Sequence, residues 1–318
     1  MMENLTDVVY PIGKGSSWKN NELRFSLRSI EKFGINVGKI FIVGELPDFL
    51  SGEDIIHIKA DDIFNPQVNA DGNIIHKVLA ACADNRLSED FLFINDDHIL
   101  LKPTVLKEIP NFHKGDMRTF PDSYWTINHW RKRLKNTMDI LIEKGASTLH
   151  FDCHTPIVIN RKAFTDMISH FNYQEGIGFT MKSIYGNYLE PENNKLLTNE
   201  KKTVFKGLDE AQLNSRLLDC SFLAFNDSGL NQHLKIFLYQ EFPDASRWET
   251  GDIEDKTIEI YRWVHGDRNY LKGVNLFEKY LKVTNLIKLF KEGENDFLRK
   301  KLAYKLIHSL EEQWKSIR

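Results

Sequence analysis

Cysteine is scarce. Cys82, Cys153 and Cys220 are an odd number with no Cys-x-x-Cys spacing, which argues against a disulfide framework or a cysteine zinc site and suits a reducing compartment. The cytoplasm is the expected location. Long apolar runs are missing too, and none approaches the roughly 20 residues of a membrane-spanning helix. Met1 to Asp7 lacks the cationic-then-apolar order of a secretory signal. Charge of one sign is not in excess: 42 Lys and Arg stand against 45 Asp and Glu, a formal charge of −3. No global field therefore draws the protein to nucleic acid or anionic membranes. Phosphate-loop signatures are absent as well. Gly13-Lys14-Gly15-Ser16-Ser17 fits neither GxxxxGK[ST] nor the dinucleotide GxGxxG, so kinase and dehydrogenase readings lose support.

What is present is a chain of 318 residues with 42% apolar and 12% aromatic residues, enough for one large core or two modest ones. Short β-branched or aromatic runs alternate with helical-period segments, the pattern of an α/β fold with a Rossmann-type mixed sheet flanked by helices. The expected strands are Asp7–Ile12, Lys39–Val43, Ile55–Lys59, Phe91–Asn95, Pro156–Asn160 and Phe222–Asn226. Helices are expected over Asn21–Phe33, Asn73–Asn85 and Trp130–Lys144. In the first of these, Leu23, Leu27 and Ile30 form an apolar stripe opposite Arg24, Arg28 and Glu31. The polar stretch Glu190–Lys206 reads as a long loop or flap. Beyond Trp248 the apolar spacing stays helical, with nine Lys or Arg against five Asp or Glu from Leu281 to Arg318. These features divide the chain into a catalytic domain, 1–249, and a helical extension, 250–318.

Phe91-Leu92-Phe93-Ile94-Asn95-Asp96-Asp97-His98 is the most informative segment. An apolar strand that ends in adjacent carboxylates sets them at the edge where open α/β sheets bind ligands. Such a pair repels itself unless a hard cation joins it to an anion, so Mg²⁺ or Mn²⁺ at Asp96 and Asp97 is expected, against the alternative of a plain acidic turn. Asp152-Cys153-His154-Thr155-Pro156 supplies a carboxylate and an imidazole in one loop, a candidate acid or base with its orienting partner. Lys182 offers a cation for a phosphate oxygen just before the polar loop, unless the segment is only a helix end closed by Gly186. Phe225-Asn226-Asp227 repeats the theme of a strand ending in a carboxylate. Gly13, Lys14, Gly15 and Ser16 form a loop able to meet phosphates, ahead of a helix with Asn21, Glu22, Arg24 and Arg28. His76, Lys77 and Ser246 are counted with these binding candidates. Tyr124 to Lys135 interleaves aromatics with cations, suited to stacking on a sugar or base, or else it is a helix start with solvated charges.

The order Asn20-Asn21-Glu22-Leu23-Arg24-Phe25-Ser26-Leu27-Arg28, then Lys39-Ile40-Phe41-Ile42-Val43-Gly44, then Phe91 to Asp97, resembles the second signature region of the Stealth family of sugar-phosphate transferases. His154-Thr155-Pro156 is similar to its His-x-Pro region, and Phe225-Asn226-Asp227 with Phe242-Pro243-Asp244-Ala245-Ser246-Arg247-Trp248-Glu249 is similar to its last region. The resemblance spans residues 7 to 249. It implies a fold similar to A-type glycosyltransferases, a nucleotide-sugar donor and a divalent cation at Asp96 and Asp97. Catalytic roles then fall to Asp97, Asp152, His154, Lys182 and Asp227. Pro11-Ile12-Gly13 replaces the family's Trp-Val-Asp-Gly, and Lys182 replaces an Arg, losing the bidentate fork. These departures favour glycosyl transfer over transfer of sugar 1-phosphate, which is the alternative; a sugar-nucleotide or glycan binding module is the non-enzymatic reading. A surface glycan precursor, such as that of capsule polysaccharide, is the expected acceptor, with modified DNA of the phage type as the second.

Overall fold

The computed structural model describes residues 5–189 and 193–264. The chain divides into two units between Gly251 and Asp252. Unit 1 begins with β1 (Thr6–Ile12), α1 (Asn21–Phe33), β2 (Gly34–Ile35), β3 (Val37–Gly44), β4 (Ile55–Ile58) and α2 (Pro66–Cys82). Four strands follow, β5 (Asp90–Phe93), β6 (His98–Leu100), β7 (Thr104–Val105) and β8 (Asn111–His113). Next come α3 (Asp122–Trp125), α4 (His129–Glu143), β9 (Ile157–Asn160), α5 (Arg161–Ile168) and α6 (Met181–Leu189). The unit ends with β10 (Asn194–Leu196), β11 (Lys201–Val204), α7 (Glu210–Leu217), β12 (Phe222–Phe225) and α8 (Gln232–Glu241). In unit 2 the described helix is α9 (Lys256–Val264). The rest of the expected helical extension, with its basic stretch from Leu281, lies outside the described residues.

The expected α/β architecture is observed. The main sheet runs β4-β3-β1-β5-β9, with the first four strands parallel and β9 antiparallel to β5. Val8, Val9 and Tyr10 are fully buried, because a central parallel strand is covered on both faces and its sequence is continuously apolar. Val9, Phe41 and Phe93 pack with Ile75 and Val78 of α2, Leu134 of α4 and Ile184 of α6. Val8, Tyr10, Ile42 and Leu92 pack on the other side with Leu23, Leu27 and Ile30 of α1. At the opposite end of β1 the buried Asp7 accepts from the Lys39 N–H and the Ser88 N–H, each at 2.8 Å, and so joins the starts of β1 and β3 to the approach to β5.

Three expectations are corrected. The segment Glu190–Lys206 carries two short strands: β10 pairs with β8, and β11 pairs in parallel with β12, which is antiparallel to β6. Lys201 and Lys202 hid this strand, since lysine is common on edge strands and rare in the middle of a sheet. The second helix starts at Pro66 behind an Asn65 cap and is kinked at Asn69; proline at the first helical position needs no N–H partner. Gly186 lies within α6 rather than at its end, and an added Cβ there would stand 2.6 Å from the Phe151 ring.

Helix α1 matches its expected bounds, but Arg24 and Arg28, expected to bind the donor, are turned to another partner. Arg24 and Arg28 are buried and converge on Glu249, whose side chain is 0% exposed. Arg28 donates through Nε and Nη2, and Arg24 through Nη1, all at 2.9 Å. Ser246 adds its N–H at 3.0 Å and its hydroxyl at 2.9 Å to the same carboxylate. On the next turns Ser26 donates to the His98 carbonyl at 2.6 Å, and Ser29 accepts from the Leu100 N–H at 3.0 Å. These bonds fix β6, and with it the turn just before it, onto α1.

Glu249→Ala leaves two buried guanidiniums without their anion, and the expected loss is about 3–5 kcal/mol in urea unfolding. Burial alone would raise the Glu249 carboxyl, but the hydrogen bonds and charge of Arg28, with help from Ser246 and Arg24, hold it below its ordinary value. Its contribution is therefore present above the ordinary carboxylate pKa and lost as pH falls through the lower folded value. The wild type should lose more stability than Glu249→Gln across that acidic interval.

Candidate active site

Parallel pairing brings the ends of β1 and β5 to one edge. After β1 the loop Gly13–Ser17 leads into α1, and after β5 the chain turns at Asn95–His98. Asp96 and Asp97 are the central residues of that turn, closed by the His98 N–H donating to the Asn95 carbonyl at 3.2 Å. Gly13, Lys14, Gly15, Ser16, Glu22, Asp96, Asp97 and Asp227 line one open cleft of about 320 Å³. Its shape is held by side chains of the cleft itself. Ser16 donates to both Glu22 oxygens, at 3.1 and 2.9 Å, and accepts from the Asn20 N–H at 2.8 Å. Ser17 donates to Asp227 at 2.6 Å, joining the loop after β1 to the loop after β12.

The cleft is an acidic site that nearby lysines compensate only in part. Burial, then repulsion from Asp227, raises Asp96 against the influence of Lys77. Burial, then repulsion from Asp96, raises Asp97 well above the ordinary carboxylate value. Glu22 is raised by burial and by Asp96 and Asp227. The Asp97 Oδ1 is buried without a hydrogen-bond partner; the His98 Nε2 lies 3.5 Å away, outside bonding geometry, on an imidazole that burial and Lys182 keep neutral. No set of three His, Cys, Asp or Glu side chains among the described residues is gathered as a ready metal cage. A hard divalent ion still fits the oxygen donors, because Mg²⁺ takes one or two carboxylates and fills the other positions with water and phosphate.

A second cavity of about 190 Å³ opens on the other side of the Asn95 turn. Asp152, His154, Lys182, Asp71, Trp130 and Arg133 are among its walls. His154 is held at φ 51°, a left-handed conformation that costs a non-glycine residue on the order of 1–3 kcal/mol. Burial, then Lys182, Lys201 and Lys114, lowers its imidazole to about 3, so it is neutral at pH 7 and has a lone pair to offer. Asp152 Oδ2 accepts from the Ser183 hydroxyl at 2.5 Å rather than from His154. The expected orienting hydrogen bond is thus replaced by charge interaction alone. Lys182, buried at the start of α6, donates to the Thr155 carbonyl at 2.9 Å. Arg133 is spent within the wall, on Asp71 at 2.6 Å and on the Ile177 and Val68 carbonyls. Burial, then Asp152, pushes Asp71 up to about 6 in spite of Arg133.

Six donor-binding candidates line neither cavity. Arg24, Arg28 and Ser246 belong to the Glu249 cluster. Asn21 is buried, donating to the Trp18 carbonyl at 2.8 Å, and His76 is half-buried on α2. Lys77 stands behind the acidic cleft, where it pairs with Asp62 at 2.5 Å. Lys14 pairs loosely with Asp61 at the rim, 3.4 Å apart and exposed. Sequence reasoning passed over Lys114, just after β8, and Lys201 of β11, which donate to the Asp152 and Cys153 carbonyls; nothing in their local sequence marks them out.

No family model and no curated protein matches the chain. Several solved glycosyltransferases are similar in structure at low scores. The galactosyltransferase LgtC, solved with donor and acceptor sugar analogues, shares 10% identity over 76% of this chain and 98% of its own, with a TM-score of 0.39. Mouse xyloside xylosyltransferase 1 shares 9% over 71% and 99%, at 0.37. GlyE of Streptococcus pneumoniae shares 13% over 74% and 60%, at 0.38. At such scores the likeness carries no argument about function.

Asp97→Asn removes a buried, unpaired charge and should stabilise the metal-free protein by about 1–3 kcal/mol. Because the folded Asp97 pKa is raised, wild type gains stability as pH falls through that value toward the ordinary carboxylate pKa, and Asp97→Asn flattens this gain. Added Mn²⁺ should raise the melting temperature of the wild type and leave that of Asp97→Asn unchanged. Thermal unfolding with and without EDTA reads both effects.

Proposed function

We propose that the chain is a nucleotide-sugar transferase, and that it moves a sugar from its donor to an acceptor hydroxyl by glycosyl transfer. The observation that carries this reading is the pair of cavities flanking one turn. On one side are carboxylates that a divalent cation would relieve; on the other is a neutral imidazole beside lysine. A donor diphosphate suits the first and the sugar with its acceptor suits the second. Asp96 and Asp97 would hold Mg²⁺ or Mn²⁺, which supplies charge neutralisation for a leaving diphosphate. The backbone of Gly13–Ser16 meets the nucleotide side of the donor, and Asp227 fixes that loop through Ser17. His154 takes the acceptor proton, Asp152 favours the resulting imidazolium by charge, and Lys182 faces the phosphates. Trp130 gives the sugar a ring to stack on.

Transfer of sugar 1-phosphate, the reaction of the Stealth family, is the second reading. The lysine beside His154 favours it, since a pentavalent phosphorus needs such stabilisers. The preferred acceptor is a glycan. DNA has less to recommend it, because Arg133 is committed to Asp71 and Arg131 lies on Tyr124, 4.0 Å from the ring centroid. No helix among the described residues is long and apolar enough to cross a membrane.

Incubation with a panel of nucleotide sugars and Mn²⁺, followed by chromatography of the released nucleotide, separates the two chemistries. A nucleoside diphosphate is expected; a nucleoside monophosphate as first product transfers the assignment to the Stealth-type reaction. His154→Ala should lower kcat by about 10²- to 10⁴-fold with the fold intact. Wild-type kcat in that variant would remove His154 from the chemistry.

A further inference from the structure

Lysines from three separate elements converge on one short loop. Lys182, in α6, donates to the Thr155 carbonyl at 2.9 Å. Lys201, first residue of β11, donates to the Cys153 carbonyl. Lys114, just after β8, donates to the Asp152 carbonyl at 3.5 Å. An ammonium has three donors and no acceptor, so a backbone carbonyl satisfies only part of each. The buried neutral imidazoles nearby add one donor and one acceptor nitrogen each, and no acceptor oxygen. His150 is buried with both ring nitrogens unpartnered, and so is His98, while the one carboxylate in the loop, Asp152, already accepts from Ser183. The three cations also repel one another. Burial, then Lys114 and, more weakly, Lys182, lowers Lys201 to about 7 despite Cys153 and Asp97. The cluster is rich in donors and positive charge and short of acceptor oxygens, and it opens to solvent at the exposed Lys114 and the half-buried His154.

We propose that Lys114, Lys182 and Lys201, gathered round the Asp152–Thr155 loop, form a phosphate-binding site separate from the acidic cleft. A phosphate dianion supplies the oxygens and the charge that the cluster lacks, and its tetrahedral oxygens can meet ammonium groups arriving from different directions. The phosphate belongs either to the donor or to a phosphorylated acceptor. The inference rests on the transferase reading for that origin; the site itself stands on the lysine geometry.

The test is calorimetric titration of the full chain with inorganic phosphate in EDTA, so that no metal bridges the anion to the acidic cleft. Saturable binding is expected for wild type, about 10- to 100-fold weaker in Lys201→Gln and in Lys114→Gln. Lys114 is exposed, so its replacement leaves the fold intact even where a change at Lys182 does not. Asp96→Asn should bind phosphate at least as well as wild type. Absence of saturable binding in wild type, or wild-type affinity in both lysine variants, overturns the proposal. Titration with phosphate in the presence of a nucleoside diphosphate then distinguishes the sources. Competition assigns the site to the donor, and an unchanged phosphate Kd assigns it to the acceptor. Failure of the transferase reading looks different: no turnover of any nucleotide sugar, with phosphate binding intact.

Discussion

The parallel pairing of β3, β1 and β5 is the constraint on which the rest of unit 1 depends. Parallel strands end on the same edge, so residues far apart in the chain arrive together without any loop having to reach. Asp7 secures the arrangement from the opposite edge, where its two oxygens bind amides next to β3 and β5. A one-residue slip of β1 against either neighbour would break one of these bonds and turn Val8 and Val9 to the wrong faces. The site is thus set by a carboxylate that lies at the far end of the strands.

Charge is sorted around the Asn95–His98 turn. Carboxylates gather on the side of β1 and α1, and amines gather on the side of β9 and α6. Each group alone is unfavourable, since burial and like-charge repulsion push the acids up and the bases down. Their mutual attraction compensates in part: Lys182 lowers Asp97, and Asp97 in turn supports Lys182 and Lys201. The turn that separates them stores the imbalance, and a ligand carrying both a metal ion and phosphate would relieve the two sides together.

Much of this was legible in the sequence where a local rule governs. Continuous apolar runs identified β1, β3, β5 and β12, and the spacing of Leu23, Leu27 and Ile30 identified α1 to the residue. The carboxylate pair at the strand end was found because the change from apolar to acidic is abrupt. Long-range pairing was not legible. Arg24 and Arg28 look like donor-binding cations until Glu249 is seen beside them, and nothing local predicts a partner so remote. Lys201 was hidden for the same reason, its strand being defined by β12 and its role by a loop 48 residues earlier. The antiparallel direction of β9 likewise depends on how the chain returns across the sheet, which periodicity does not encode.

The Glu249 cluster also has a consequence for how the chain is made. Its carboxylate is 225 residues beyond Arg24 and 221 beyond Arg28. At ribosomal speeds of about 5–20 residues per second, the arginines wait on the order of ten to forty-five seconds for their anion. During that interval α1 exists with two unpaired guanidiniums on a face that must later be buried, so its docking on the sheet is unfavourable until the segment around Trp248 has left the exit tunnel. The final stability of unit 1 therefore arrives with the last stretch of its synthesis, and a ribosome stalled before residue 249 holds a nascent chain without the anion for Arg24 and Arg28.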